Sequence, residues 1–200
     1  MGMGLLHRTP PTLQRMGTLV KGIVFVELIR MAETAIGEDA VDQILDQCNL
    51  STDGAYSTVG NYPCSELMQL VEALSNHTGT PQQELQRLFG KWMHEHFVHS
   101  YPAFFVDKPD ALAMLAAIED EVHVEVRKLY PDAELPRFET ERMGSDALRL
   151  TYRSPRPLTD FCQGLVEGCV DHFGQPAEIR RESLPNSEEH ACAFTVNLRG

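Results

Sequence analysis

Residues 107–130 read DKPDALAMLAAIEDEVHVEVRKLY, and we expect the rest of the chain to be organised around this segment. Asp107 ahead of Pro109 is a helix start signal, since proline suits the first helical turn. Pro131 follows the segment and cannot continue a helix. Between these signals apolar residues recur at spacings of three and four, which predicts an amphipathic helix: Leu112, Leu115, Ile118, Val122, Val126 and Leu129.

His123 lies at the edge of this apolar stripe. It follows Ala116 and Leu112 by seven and eleven residues, which are close to whole helical turns, so the three residues line up. The small side chain of Ala116 leaves room beside the imidazole. Two interpretations fit this position: a half-buried histidine that hydrogen-bonds a carbonyl, or a metal or haem ligand.

The composition bounds the class of protein. The chain has 200 residues, of which 42% are hydrophobic, so it can form one domain, or one domain with two lobes, around a substantial core. Its net charge of −12 argues against nucleic acid as a partner, because phosphate binding needs a basic surface. No apolar run approaches the length of a membrane span.

The N-terminus and the cysteines indicate a cytoplasmic protein. Residues 1–15 lack the apolar core of a secretory signal, and we interpret them as a disordered extension, with Met16 as the start of the domain. The five cysteines show no CxxC spacing, which favours reduced thiols over a disulfide framework.

The period of the hydrophobic pattern changes after Tyr130. Before it, helical patterns run from the apolar segment 20–29 to Gly37, over 38–48, from a capping Ser65, and from Thr80 toward Phe97, with a loop over 50–63. After it, alternation predicts strands over 135–143, 147–152, 177–183 and 191–198, turns at 144–146 and 185–187, and a helix over 158–173. Helices followed by strands predict an α+β domain with a helical lobe over about 16–130 and a lobe with a four-stranded antiparallel sheet over about 131–200.

Three polar side chains close the second of these strands. Tyr152, Ser154 and Arg156 are two residues apart, so in an extended chain they point the same way. A phenol, a hydroxyl and a guanidinium fork can all donate hydrogen bonds, and arginine matches a carboxylate bidentately. The set suits a ligand with two carboxylates and an apolar body, although the polar face of an edge strand has the same pattern.

The motif Tyr-x-Ser-x-Arg resembles the signature of the H-NOX family, the haem nitric oxide/oxygen binding domains. Further segments resemble the family in the same order: KGIV at 21–24, FGK at 89–91, EVH at 121–123, YP at 130–131 and LP at 135–136. The likeness covers roughly residues 18–199. The chain resembles the bacterial stand-alone sensor type of the family, which is related to the haem domain of soluble guanylate cyclase.

The resemblance implies a set of haem contacts. Haem b would lie between the two lobes with His123 as its axial ligand and with Tyr152, Ser154 and Arg156 on its propionates. Pro136 would press on the porphyrin, although it also suits a simple strand entry. The residue types of the chain suit haem, because haem combines an apolar ring, two carboxylates and an iron that accepts a neutral imidazole.

The resemblance also implies gas selectivity. It places four apolar residues on the other side of the iron, where core packing alone would also suit them: Val24, Leu28, Met93 and Phe161. In oxygen-binding members a tyrosine stands where this chain has Phe161. Burying the polar dioxygen without a donor costs about 1–3 kcal/mol, or roughly ten- to a hundredfold in affinity. We therefore expect a sensor that binds nitric oxide, with carbon monoxide as a further ligand, and discriminates against dioxygen.

We expect a sensor without catalytic activity of its own. Gas binding would change the bond between iron and His123 and shift the helix that carries it. No kinase, cyclase or phosphodiesterase region follows in the chain, so the output would pass to a separate protein, which the resemblance suggests is a histidine kinase or a cyclic-di-GMP enzyme. The alternatives are a haem or metal enzyme, and a binding module for an acidic apolar ligand held by Arg156.

Two groups of residues rich in Cys or His have no role in the haem contacts or in the gas selectivity. His94, Glu95, His96 and His99 lack the HExxH spacing, and we expect a solvated helix end there. Some bacterial members of the family carry a C-terminal zinc cluster, and Cys162, His190 and Cys192 lie near that region. Residues 180–184 read RRESL and offer no Cys or His, which disfavours the four ligands of a structural zinc site without excluding one.

Overall fold

Helices make up most of the first two thirds of the chain, and a sheet follows them. The computed structural model describes residues 18–185 and 189–199. The α-helices of this part are α1 (Gly22–Ile36), α2 (Glu38–Gln47), α3 (Cys64–Thr78), α4 (Gln82–Ser100), α5 (Ala111–Ala116), α6 (His123–Leu129) and α7 (Thr159–His172). The strands are β1 (Leu19–Lys21), β2 (Asn61–Pro63), β3 (Arg137–Arg142), β4 (Ala147–Ser154), β5 (Ala177–Ser183) and β6 (His190–Leu198).

The sheet confirms the predicted α+β class. Its four strands are antiparallel in the order β3-β4-β6-β5, and α7 connects β4 to β5. Every second residue of β4 is buried, which explains why the period-two pattern located this strand, whereas β6 is buried on consecutive residues from Ala191 to Phe194. Strands β1 and β2 form a separate antiparallel pair. The predicted extension over residues 1–15, and Asn186 and Ser187 of the predicted turn, lie outside the described residues.

The segment 107–130 is not one continuous helix, so that prediction was wrong. Asp110, rather than Asp107, caps α5, since its carboxylate accepts a hydrogen bond from the Ala113 N–H at 2.7 Å. The helix α5 ends at Ala116, and a π-helical turn over Ile118–Val122 separates it from α6. A π turn inserts one extra residue, which rotates everything after it. His123 therefore does not keep the helical alignment with Ala116 that the spacing suggested.

The start of α3 also differs from the prediction. The helix begins at Cys64 directly after Pro63, and no side chain caps it, so Ser65 is not its N-cap. Strand β2 runs straight into the helix, and its pairing with β1 sets the entry of the chain in place of a cap.

Two apolar clusters form the core. One is built from α1 to α4, and the other lies between α5, α7 and the sheet. Helices α4 and α7 join the clusters at a close crossing, because a Cβ at Gly90 would lie 2.2 Å from the Phe161 carbonyl oxygen and a Cβ at Gly164 would lie 2.0 Å from that of Arg87. Only glycine permits this approach at either position.

His94 lies inside this crossing and not at a solvated helix end, which corrects the prediction for that residue. Its ring is buried and stands edge-on to Phe105, with ring centroids 5.4 Å apart. Its Nε2 has no hydrogen-bond partner among residues 18–185 and 189–199. The helix periodicity of α4 could not indicate this, because the space for the ring comes from Gly168 on α7.

We expect His94 to make the folded state sensitive to mild acid. Burial, and then the charge of His172, lower the pKa of His94 from 6.5 to about 4. The stabilisation by the neutral ring is complete above the unfolded-state pKa, and about 3 kcal/mol of it is lost as the pH falls through the folded-state pKa. Urea unfolding at about pH 7.5 and about pH 5 should show that the wild type loses about 2 kcal/mol more stability than His94→Gln. Equal losses in the two proteins would contradict the assignment.

Candidate functional site

His123 is the first residue of α6 and directly follows the π turn. It is buried, with 7% of its surface exposed. Its Nδ1 lies 3.0 Å from Oε2 of Glu119, and its ring centroid lies 5.6 Å from that of Phe138. Because a carboxylate can only accept, Nδ1–H is the donor, and the lone pair of a neutral ring is left on Nε2.

Burial of His123 favours that neutral ring. Burial lowers the pKa of His123 below its ordinary value, against the opposing effect of Glu119. Partial burial raises the pKa of Glu119, but hydrogen bonds from Arg127, His123 and the Phe138 N–H outweigh burial and leave that pKa below its ordinary value. At neutral pH the pair is therefore an imidazole held by a carboxylate, which is how proteins commonly orient metal-binding histidines. The sequence-based alternative of a backbone carbonyl partner was wrong.

Tyr152, Ser154 and Arg156 all lie on the buried side of the chain at the end of β4, as the alternation predicted. The alternative of an edge strand was wrong, because β4 lies between β3 and β6. The Ser154 hydroxyl accepts a hydrogen bond from the Arg156 N–H at 3.1 Å. Burial raises the pKa of the Tyr152 phenol, which therefore keeps its proton and remains a donor.

The guanidinium of Arg156 links distant parts of the chain. Its Nε donates to the Leu19 carbonyl oxygen at 2.8 Å, and its Nη2 donates to Oε2 of Glu134 at 2.9 Å. Glu134 is about half exposed, whereas Arg156 is buried. Arg156 thus holds a carboxylate at the boundary between the helices and the sheet.

Pro136 lies in the segment between α6 and β3 and is half-buried. Two residues later, the Phe138 ring contacts both His123 and Tyr152, each at 5.6 Å between ring centroids. The Phe138 ring is therefore a common neighbour of the histidine and of the end of β4.

The four residues assigned to the other side of the iron share one apolar cluster. Leu28 and Met93 are completely buried, and Val24 and Phe161 pack against them half-buried. The Phe161 ring lies 5.0 Å from that of Phe89, and the close crossing of α4 and α7 brings the two together. The four side chains carry no hydrogen-bond donor.

These residues fit an iron porphyrin. Iron accepts a neutral imidazole nitrogen, propionates suit a buried arginine beside a phenol and a hydroxyl, and the ring needs apolar side chains. In the described part of the chain, no group of three or more His, Cys, Asp or Glu residues could hold a metal ion.

A family model described as haem-NO-binding matches residues 21–181. The chain belongs to the haem-NO-binding, or H-NOX, family. Its members are haem-based gas sensors, and the recognition made from the sequence is confirmed.

Solved H-NOX structures agree with this assignment. The unliganded Fe(II) H-NOX protein from K. algicida is 35% identical, with 90% of this chain and 97% of that chain covered and a TM-score of 0.83. The IWP-051-bound H-NOX from Shewanella woodyi in the Fe(II)CO state is 36% identical, with 89% and 94% covered and a TM-score of 0.74. The S. oneidensis protein in the Fe(II)NO state is 24% identical, with 90% and 100% covered and a TM-score of 0.82, and supports the fold alone. No curated protein matches the chain.

Sequence reasoning missed the partners of the predicted residues. Glu119 precedes His123 by four residues, a spacing that places two side chains on one helical face and could have identified it. Glu134 and Leu19 gave no local signal, because they reach Arg156 only through the tertiary fold.

The possible zinc ligands differ in how deeply they are buried. Cys162 and Cys192 are buried, whereas His190 is exposed at the start of β6. Burial raises the pKa of both thiols, which keeps them protonated at neutral pH.

Among the described helices, none is long and apolar enough to cross a membrane.

Proposed function

We propose that this H-NOX domain holds haem b through His123 and senses nitric oxide at the ferrous iron while discriminating against dioxygen. The observation that carries the proposal is the buried, neutral His123 whose Nδ1 is already bound by Glu119, because this arrangement leaves Nε2 to the metal. Haem supplies the iron that binds the gas; the residues of the chain hold it, orient it and select the gas.

Tyr152, Ser154 and Arg156 would hold the haem propionates, and Pro136 would press on the porphyrin. The contact between Arg156 and Glu134 supports this role, because the buried guanidinium already accommodates a carboxylate. The propionates would bind the same guanidinium, whose planar fork can match a carboxylate bidentately, whereas lysine offers only a point charge.

Arg156→Ala should release haem about ten- to a hundredfold faster than the wild type, because a hydrogen bond to a charged group contributes about 1.5–3 kcal/mol. Transfer of haem to an excess of apomyoglobin measures the rate. Glu134→Gln is the matched control: it removes the protein's own carboxylate but keeps the guanidinium, so haem release should be no faster than in the wild type. A wild-type rate in Arg156→Ala would count against the propionate role.

The apolar residues opposite His123 would select the gas. Val24, Leu28, Met93 and Phe161 offer dioxygen no hydrogen bond, whereas nitric oxide and carbon monoxide need little such support. The 36% identical H-NOX from Shewanella woodyi in the Fe(II)CO state supports carbon monoxide as a ligand. The family model described as haem-NO-binding supports nitric oxide.

Loss of the bond between His123 and iron would be the signal. A ligand shifts a two-state equilibrium only through its differential affinity for the two states, and loss of a metal–ligand bond is a large difference. Because α6 begins at His123, movement of that residue would move the helix. We propose that a separate cytoplasmic effector reads this movement, and the resemblance to bacterial stand-alone sensors favours a histidine kinase or a cyclic-di-GMP enzyme.

Absorption spectra of the purified, dithionite-reduced protein test the proposal. We expect a five-coordinate ferrous Soret band that shifts with nitric oxide and does not shift to a stable dioxygen complex in air. A stable dioxygen complex would keep the haem but overturn the selectivity. The absence of a Soret band after haem is added would overturn the function as a whole.

A further inference from the structure

We infer that Glu119 is a positioning residue that sets the orientation and donor strength of His123, and that Arg127 moderates it. The inference rests on the proposed function, because it concerns the residue that would bind the iron. It assigns a role to a carboxylate that the sequence pattern did not single out.

Glu119 is the meeting point of three hydrogen bonds. Its Oε2 accepts from Nδ1 of His123 at 3.0 Å and from the Phe138 N–H at 3.2 Å. Its Oε1 accepts from Nη2 of Arg127 at 2.6 Å. One carboxylate therefore connects the π turn, the helix α6 and the strand β3.

Glu119 is part of the π turn. Glu119 lies within the turn over Ile118–Val122, where the Val122 N–H reaches back five residues to the Ala117 carbonyl oxygen at 3.4 Å. The wide turn ends directly before His123, so the acid and the imidazole lie on adjoining turns of different helical types. π turns inside helices frequently mark functional positions, and here the turn presents a carboxylate to the histidine.

The carboxylate should strengthen His123 as a ligand. When a carboxylate accepts the Nδ1–H bond, it draws the proton toward itself, which raises the basicity of Nε2 and fixes the ring orientation. A stronger donor stabilises ferric over ferrous iron and stiffens the bond to the metal. Arg127 binds the other oxygen of the same carboxylate and withdraws negative charge from it, so Arg127 should weaken this effect.

The hydrogen bond from the Phe138 N–H to Glu119 couples His123 to the strand β3. Phe138 packs on both His123 and Tyr152, and its N–H is bound to the carboxylate that holds His123. A displacement of His123 would therefore pull on the start of β3 as well as on α6. This coupling gives the strand a direct connection to the iron ligand.

Two substitutions should move the same observables in opposite directions. Glu119→Gln keeps the size of the side chain but offers a neutral acceptor, so the iron–histidine stretching frequency in resonance Raman spectra should fall and the haem reduction potential should rise. Haem release should accelerate about ten- to a hundredfold, as is typical for the loss of such a supporting contact. Arg127→Met leaves the carboxylate uncompensated, so the frequency should rise and the potential should fall.

Glu125→Gln is the matched control. Glu125 lies on the same helix and pairs with Lys128 at 2.6 Å, so its substitution removes one carboxylate and one ion pair without touching the Glu119 cluster. Its frequency and potential should equal those of the wild type. Arg127 is 46% exposed in its side chain, so Arg127→Met should fold even if Glu119→Gln does not.

The outcomes separate this inference from the proposed function. Wild-type frequency and potential in both Glu119→Gln and Arg127→Met would overturn the positioning role while the haem assignment stands. A shift of the same size in Glu125→Gln would also overturn it, because a general charge effect would then explain the data. A wild-type protein that takes up no haem would overturn the proposed function, and the inference with it.

Discussion

Replacing His123 by glycine should abolish tight haem retention, and free imidazole should restore it. The side chain is buried, its Nδ1 is bound to Glu119, and the ring borders Phe138, so the substitution leaves a cavity of the shape of imidazole. Loss of a supporting contact typically weakens a metal site about ten- to a hundredfold, and we expect the loss of the ligand itself to exceed that range. The haem-to-protein ratio after gel filtration, with and without imidazole, measures the effect.

His190→Gly is the control for this experiment, because His190 is exposed at the start of β6. Its haem content should equal that of the wild type. Circular dichroism of His123→Gly without haem distinguishes loss of the ligand from loss of the fold. A His123→Gly protein that keeps its full haem content without imidazole would overturn the axial-ligand assignment.

Replacing Phe161 by tyrosine should allow the ferrous protein to hold dioxygen. Phe161 is half-buried in the cluster that contains Leu28 and Met93, and the substitution adds a single hydroxyl there. A hydrogen bond to an otherwise unpaired polar ligand is worth about 1–3 kcal/mol, so dioxygen affinity should rise roughly ten- to a hundredfold. Absorption spectra of the reduced variant in air and in nitrogen detect the complex.

Phe138→Tyr adds the same hydroxyl to a half-buried ring on the His123 side. Because the gas would bind opposite His123, this control should not acquire a dioxygen complex. If Phe161→Tyr forms no such complex either, the shape of the pocket decides the selectivity instead of a single donor. If both variants form it, the placement of Phe161 opposite His123 is wrong.

Local patterns were sufficient for the order of the elements. Alternation located β4, in which every second residue is buried, and the turn at 144–146. Strands β3, β5 and β6 were also predicted to within a few residues, although β3 and β5 are mostly exposed and β6 is buried along most of its length. The helical period located α1 to α4 and α7 to within a few residues. The π turn escaped the same reasoning, because the apolar stripe of residues 107–130 continues through it and a period of three to four cannot reveal one inserted residue.

The candidate site was predictable in its residue types and not in its contacts. The spacing of Tyr152, Ser154 and Arg156 placed them on one side of a strand, and the structure buries all three. His94 was mistaken for a solvated residue, because Gly168 on another helix makes room for its ring. Such complementarity between distant segments leaves no periodic trace in either of them.

By itself, the sequence determined the α+β order, the family resemblance and the residue types that suit haem, since these depend on spacing and chemistry along the chain. The spacing of Glu119 and His123 was compatible with a hydrogen bond to Nδ1, but only the tertiary structure anchors Glu119 to the Phe138 N–H 19 positions later and so holds this arrangement, which leaves Nε2 for a ligand. Likewise, only the fold brings Arg156 to the Leu19 carbonyl oxygen, 137 positions away. Hydrogen bonds across such separations form when apolar packing brings the segments together, and they then fix which atoms of each side chain remain for function.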